Sequence, residues 1–465
     1  MPSPAQSTVS IAIPDLRASL AGRMITPEDA EYDAARAVVA GGVDRRPAAI
    51  VRVANSDDVA HVVNLARETG LELAVRSGGH SGAGHGVSEG GIVIDLRDMK
   101  GLDIDADART AWAETGLTAG EVTAALEAHG LAIGFGDTGT VGIGGITLGG
   151  GVGYLVRKHG LTIDNLLAAE VVTADGRVLH VDADTEPDLF WAIRGGGGNF
   201  GVATRFQYRL HALDGIYGGM LILPATSETV AGFIAAAEAA PDELSTIANV
   251  MNCPPMPFGP EEHHGSLVIM GMLAFAGSMD SGEEALAPFR ALATPLADML
   301  KPMPYPEMFP PEDSDYRPTA AALTMLMEHV DLGVAGTIME HLEGSDAAVR
   351  VAQLRVLGAA MARVPTDATA YAHRQSRIMV NVAAFYEEAE DRVAREAWVA
   401  DFAAALNQGD DGAYVNFLAD EGPERIRAAY PEATWDRLAA IKSRYDPTNL
   451  FRLNENVPPP PAEVA

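Results

Sequence analysis

The apolar positions between residues 49 and 96 fall into short runs separated by one helical stripe. Ala49–Val53 is a compact apolar run that predicts a buried strand. Val59, Val62, Val63 and Ala66 then recur at helical spacing, with Ser56 as N-cap, Asp57 and Asp58 in the first turn, and Gly70 at the C-terminal cap. Leu71–Val75 predicts a second strand, so a strand–helix–strand unit ends in the loop 76–82. Gly91–Leu96 and Thr110–Thr115 predict further strands, and Thr118 with Glu121 forms a capping box for a helix ending near Gly130. Leu166–Thr173 and Arg177–Val181 flank Ala174-Asp175-Gly176, a hairpin signal. Glu186–Ile193 predicts a short helix; Val202–Leu210 and Met379–Phe385 predict strands. Residues 1–45 have the pattern of a helical lead-in. Beyond about residue 214 Ala, Met and Pro become frequent, 301–318 is a Pro-rich connection, and the four consecutive prolines in 457–465 predict an extended tail.

A chain of 465 residues has room for two to four domains or subdomains, and its 48% hydrophobic content supplies a large core. With 33 Lys+Arg against 64 Asp+Glu the net charge is −31, which disfavours nucleic acid and anionic membrane surfaces as partners. No segment approaches the ~20 apolar residues of a membrane span. The opening MPSPAQSTVSIAIPD lacks a basic region followed by an apolar core, so the expectation is a cytoplasmic protein without a secretory signal. The single cysteine, Cys253, excludes an internal disulfide and any four-cysteine metal or cluster site. No metal-ligand spacing occurs, and His263-His264 is an isolated pair expected on a surface loop.

Glycine changes the picture. There are 48, concentrated between Gly78 and Gly201 in three clusters, one of which carries His80. A backbone without Cβ can approach a phosphate closely and turn its N–H groups toward it. A Rossmann site does not fit: Gly142-Ile143-Gly144-Gly145-Ile146-Thr147 ends in Thr147, and no strand–turn–helix unit with a downstream acid surrounds it. No Walker A loop is present. A single glycine loop is as readily a tight turn, and a lone loop histidine as readily faces solvent; three clusters in one region point to an extended anionic cofactor.

Arg76-Ser77-Gly78-Gly79-His80-Ser81 with Gly91-Ile92-Val93-Ile94-Asp95-Leu96 resembles the berberine-bridge-enzyme-like branch of the vanillyl-alcohol-oxidase flavoproteins. So do Thr140-Val141-Gly142-Ile143-Gly144-Gly145 with Gly149-Gly150-Gly151-Val152-Gly153, the runs 188–196 and Asn199-Phe200-Gly201, and the closing Tyr445-Asp446-Pro447-Thr448-Asn449-Leu450-Phe451-Arg452. The resemblance implies an α+β fold: a PCMH-type FAD-binding domain of two α+β subdomains, and a substrate domain whose antiparallel sheet roofs the flavin. The corresponding boundaries are a lead-in over 1–44, the FAD-binding domain over 45–212, the substrate domain over 213–411, a closing element over 412–457 and a tail over 458–465. The family's covalent bond to the flavin 8α-methyl group falls on His80. Cofactor contacts fall on Arg76, Ser77, Gly78, Gly79, Ser81, Gly82 and His85; on Thr138, Gly139, Thr140, Gly142, Gly144, Gly145, Thr147, Gly149, Gly150 and Gly153; and on Val202, Tyr414, Asn416 and Asn454. Val141 occupies the position that shapes the O2 pocket, where a small β-branched residue resembles the oxidase members; a plain core valine is the other reading.

Departures from the family pattern carry information. The cysteine that makes a second covalent link in many relatives is replaced by Thr138, so a single link through His80 is expected. A histidine near the flavin N1–C2 edge is replaced by Ile146, and the tyrosine that closes Tyr-x-Asn-Tyr in several relatives is Phe417. Tyr414, Tyr371 and His373 remain as catalytic candidates, each with a structural alternative; Tyr414 would point away from Phe417 if 414–417 were a strand. Met251, Met256, Met270 and Met272 belong to the expected substrate wall, as core filler or as lining for a bulky apolar substrate. The implied activity is an FAD-dependent oxidase that takes a hydride from a C–H next to O or N of a small organic substrate, with O2 as acceptor and hydrogen peroxide as product. A dehydrogenase with another acceptor, or a flavin-loaded binding protein without turnover, are the alternatives. The expected state is a monomer or homodimer.

Overall fold

The computed structural model describes residues 16–255, 261–309 and 316–461. The strand–helix–strand unit forms as the pattern predicts. Ala49–Arg52, Ile92–Asp95 and Leu73–Arg76 lie side by side in parallel, and the helix Ser56–Thr69 buries Val59, Val62, Val63 and Ala66 against them. Its N-cap is Asn55, whose side chain accepts the Asp58 N–H, one residue earlier than the Ser56 expected; Gly70 ends it in the left-handed conformation. The lead-in is corrected too. Within 16–44 the structure has the strand Arg23–Ile25, antiparallel to Ala49–Arg52, and helix only over 16–19 and in the short Tyr32–Arg36. Met24 and Ile25 are buried there, so pairing with a sheet edge outweighs local pattern.

A second, antiparallel sheet has the order Leu102–Asp105, Thr110–Glu114, Val202–Arg209, Leu166–Val172, Val178–Asp182. The hairpin at residues 174–176 and the Thr118/Glu121 capping box of the helix Ala119–Glu127 are both present. The glycine-rich stretch holds a helix that its composition hid, Ile143–Gly149, fixed by burial of Ile143 and Thr147.

The third sheet is wholly antiparallel, running Ala297–Asp298, Ile216–Pro224, Leu267–Phe275, Leu244–Asn252, Val349–Val356, Ile378–Phe385, Ala320–Met327. One face packs Leu221, Ala248, Val250, Leu273, Leu354 and Val380 beneath helices that include Ser227–Ala239 and Arg392–Leu406. The other face turns toward the glycine-rich region. Ile247 packs with Tyr154 and Leu155, and Met379 and Leu326 with Val152 and Tyr414. This sheet therefore roofs the loops that carry the expected cofactor contacts.

The junction contains a half-buried histidine pair. His159 and His211 stack with 3.8 Å between ring centroids, and Nε2 of His159 is buried without a hydrogen-bond partner. Burial, then His211 and Lys158, push His159 down to about 3. The unfolded chain takes up this proton near pH ~6.5, so below that pH it binds more protons than the folded chain. Stability is therefore intact above about pH 6.5 and lost progressively as pH falls toward about 3. In thermal melts from about pH 7.5 to about pH 5, His159→Gln is expected to lose less midpoint than wild type; equal slopes would show that His159 does not govern this limb.

Candidate active site

The His80 loop leaves the C-terminal end of the strand Leu73–Arg76, the end at which parallel sheets present ligands. Its base is held by a buried cluster. The Arg76 guanidinium donates to Asp95 Oδ2 (2.8 Å) and to the Ala35 carbonyl (2.6 Å). Burial alone would raise the Asp95 carboxyl, but Arg97, Arg76 and Arg52 outweigh it and hold it down to about 2. Above Arg76 the loop packs backbone to backbone on the second glycine stretch. A Cβ on Gly78 would stand 2.2 Å from the Gly142 nitrogen, and one on Gly142 2.1 Å from the Gly78 nitrogen, so only glycine permits the contact. Ser77 Oγ donates to the Thr115 carbonyl (2.5 Å) and accepts the Gly144 N–H (3.2 Å). His80 is half-buried, with Nε2 3.1 Å from Thr140 Oγ1.

Between these loops and the C-terminal residues lies a cavity of about 330 Å³, in the range of small-molecule sites. Most of the expected cofactor residues line it. Arg76, Ser77, Gly78, Gly79, His80, Ser81 and His85 do so from the first loop, and Thr138, Val141, Gly142, Gly144 and Gly145 from the second. Val202, Tyr414, Asn416 and Asn454 complete that group. The others lie behind the wall. Thr140 reaches it through His80, Gly149 backs onto the Asn416 amide, and Gly153 packs against Gly136. Thr147 Oγ1 bonds the Tyr208 hydroxyl (2.8 Å), Gly150 sits between Tyr371 and Tyr414, Gly139 faces Phe309, and Gly82 is exposed.

The three catalytic candidates separate. Tyr414 lines the cavity; its hydroxyl accepts the Gly151 N–H and the Asn416 Nδ2–H, both at 2.9 Å. Burial pushes its phenol up, against these two donors. Tyr371 is buried off the cavity with an unpartnered hydroxyl, and burial raises it as well. His373 is also off the cavity, its Nε2 3.0 Å from the Ala429 carbonyl oxygen, and burial lowers it. Residues 415–417 form a 3₁₀ turn, Val415–Phe417, and not the strand that would turn the two rings apart, so Tyr414 and Phe417 share the cavity wall with ring centroids 5.2 Å apart. Met251, Met270 and Met272 do not line this cavity, and Met256 lies outside the described residues. His263 is half-buried and His264 exposed.

Several wall residues carry no signal in the local sequence pattern. Asp137, between Gly136 and Thr138 in the glycine-rich stretch, is one of them. Its Oδ2 accepts from Arg355 Nη2 at 2.6 Å, and Arg355 belongs to the roofing strand Val349–Val356. Glu455 lies 3.3 Å from His85. Ile146 and Phe417, noticed as departures from a motif, are on the wall, as are Gly197 and Gly198 from the third glycine cluster.

The closing element is locked to this wall. Lys442, fully buried, donates to the carbonyls of Asn199 (2.7 Å) and Phe451 (2.8 Å) and to Asp446 Oδ2 (2.7 Å). Asp446 also accepts the N–H groups of Leu450 and Phe451, and Asn199 Oδ1 accepts the Val457 N–H.

These residues fit FAD. A Cβ at Gly145 or Gly198 would meet nothing within 4 Å, so both leave bare backbone beside open space. Asn454 Oδ1 is buried without a hydrogen-bond partner, an acceptor that a donor-bearing ligand would satisfy. Ser77, His80, Asn416 and Asn454 would hold the cofactor from three sides. Among the described residues no helix is long and apolar enough to cross a membrane, and no group of three His, Cys, Asp or Glu could hold a metal ion.

Comparison with known proteins agrees. The family profile described as an FAD binding domain matches residues 47–182, and the berberine and berberine-like profile matches 413–458. The (R)-6-hydroxynicotine oxidase of Paenarthrobacter nicotinovorans is 30% identical over 95% of this chain and 97% of its own length. The FAD-linked oxidoreductase YvdP of Bacillus subtilis is 32% identical over 95% and 98%. The crystal structure of 6-hydroxy-D-nicotine oxidase from Arthrobacter nicotinovorans superposes with a TM-score of 0.85 at 28% identity, covering 94% of this chain and 98% of that one.

Proposed function

The chain belongs to the berberine-like FAD-linked oxidoreductases, and on that footing we propose that it is an oxidase: it takes a hydride from a C–H next to oxygen or nitrogen of a small organic substrate and passes the electrons to O2, forming hydrogen peroxide. Bound FAD supplies the two-electron acceptor; substrate binding, orientation and proton handling fall to the chain's own residues. The observation that carries the reading is the cavity where the His80 loop, the stretch 138–145 and residues 414–417 meet under the antiparallel sheet.

His80 is the covalent anchor in this reading. It lines the cavity and lies within reach of Thr140, which orients the imidazole. Thr138, also on the wall, cannot form a thioether, and Cys253 is buried with Ile222 and Val268, away from the cavity. Cys253→Ser is therefore expected to keep its flavin attached through denaturation, as read by the mass of the flavin-bearing tryptic peptide; a flavin-free digest would overturn attachment through histidine alone. Val141 on the wall leaves a small apolar surface for O2. Tyr414 has both lone pairs occupied, so its own O–H is what it offers to an acceptor oxygen in the cavity.

The test is an anaerobic panel of alcohols, hemiacetals and secondary amines followed by aerobic mixing. A compound that bleaches the flavin, with colour restored by O2 and peroxide produced stoichiometrically, is the expected result. Bleaching with slow recovery in air supports a dehydrogenase with another acceptor. If no compound bleaches the flavin and dithionite-reduced protein is not reoxidised by air, the chain is a flavin-binding protein without turnover.

A further inference from the structure

We propose that Asp137 accepts the proton that the substrate loses during oxidation, and that Arg355 is the positioning residue that holds it. The proposal rests on the oxidase reading above. An O–H or N–H next to the reacting carbon must lose its proton as the hydride leaves, so the site needs a lone pair that faces the cavity and is free. Tyr414 does not offer one: Gly151 and Asn416 already donate to its oxygen. Tyr371 and His373 are off the cavity wall. Glu455 is on the wall with Oε1 3.3 Å from His85 Nδ1, but among the described residues no bond ties its carboxylate to the roofing sheet.

Asp137 differs on each count. It lines the cavity and its side chain is 24% exposed. Oδ2 is taken by Arg355, while Oδ1 has no hydrogen-bond partner among the described residues. One oxygen is thus fixed by a charged hydrogen bond and the other is left unpaired among the described residues, on a residue that lines the cavity. Arg355 is itself fixed. Its guanidinium lies 5.0 Å from the centroid of the Phe417 ring and donates to Gln353 Oε1 (2.6 Å). Gln353 Nε2 donates to Asn249 Oδ1 (2.8 Å), and Asn249 Nδ2 to the Met270 carbonyl (3.1 Å). The chain of bonds crosses three adjacent strands of the roofing sheet and ends on Asp137, so it sets the carboxylate at the sheet-facing end of the cavity.

In the step, the O–H or N–H bond of the substrate breaks and its proton passes to Asp137 Oδ1. The electron pair left on the heteroatom closes a C=O or C=N bond as the adjacent carbon gives up its hydride to FAD, the oxidant of this activity. Asp137 returns its proton to solvent before the next turnover.

The test uses flavin-loaded protein and the compound that bleaches wild type fastest in the panel. Asp137→Asn keeps an acceptor for Arg355 and is expected to slow anaerobic bleaching about 10²–10⁴-fold. The Kd of the compound, read from the shift it causes in the flavin absorbance of that slow variant and compared with the wild-type value from the concentration dependence of bleaching, changes less than about threefold. The melting temperature holds. In Asp137→Ala, added formate restores the rate in proportion to its concentration and chloride does not, a response that a merely structural role would not give. Bleaching by Asp137→Asn within about threefold of wild type, or no rescue by formate in folded, flavin-loaded Asp137→Ala, overturns the proposal. If no compound bleaches wild type, the oxidase reading itself fails and takes the proposal with it, a result visible before any variant is made.

Discussion

Acid precipitation of His80→Ala gives a colourless pellet and a yellow supernatant, whereas the wild-type pellet stays yellow. The expected contrast is all or none, because a covalent bond survives the loss of fold and every other contact in the cavity does not. The glycine contacts that shape the cavity, Gly78 on Gly142 above all, do not involve the imidazole. The variant should therefore still bind FAD and purify yellow before acid is added. A wild-type supernatant that carries all the colour would sink the covalent assignment while leaving FAD binding intact. Loss of FAD from the native variant would show instead that His80 shapes the pocket.

Lys442→Met is expected to destabilise the protein by about 3–5 kcal/mol, because it leaves the Asp446 carboxylate buried without its cation. The pair is fully enclosed, and the three protons of Nζ are all used within the fold. Burial lowers the Lys442 ammonium, which Asp446 opposes. Methionine fills the space of the lysine stem but abandons two carbonyls as well as Asp446. Urea unfolding, monitored separately by far-UV dichroism and by flavin fluorescence, measures both consequences. The midpoint falls, and flavin fluorescence rises before the bulk of the structure unfolds, since Phe451 and Asn454 on the cavity wall depend on this lock. A midpoint loss worth less than about 1 kcal/mol would show that water enters and solvates the pair.

Much of the glycine-lined side of the cavity is legible in the sequence because it is built from glycine and short loops. Where backbone must touch backbone, as at Gly78 and Gly142, side chains are excluded and the residue type records the geometry directly. The helix Ile143–Gly149 was hidden by the same feature, since its glycines have poor helix propensity and only burial of Ile143 and Thr147 reveals it. The conformation at 414–417 stays open in the sequence because four residues cannot distinguish alternation from a 3₁₀ turn. Asp137 was invisible for another reason. Its importance comes from Arg355, 218 residues away in sequence, and no local pattern marks a partner brought in by a separate sheet. The strand Arg23–Ile25 was missed in the same way, its partner being the edge of a sheet.

The cavity wall takes residues from 73–203 and again from 414–455. A ribosome making roughly 5–20 residues per second needs on the order of 10–50 seconds to pass from the first group to the second. Throughout that interval the His80 loop exists without Tyr414, Asn416 and Asn454, so the complete pocket is a product of the finished chain. A polypeptide cut short before Tyr414 therefore carries the His80 loop and the glycine stretches but only part of the wall.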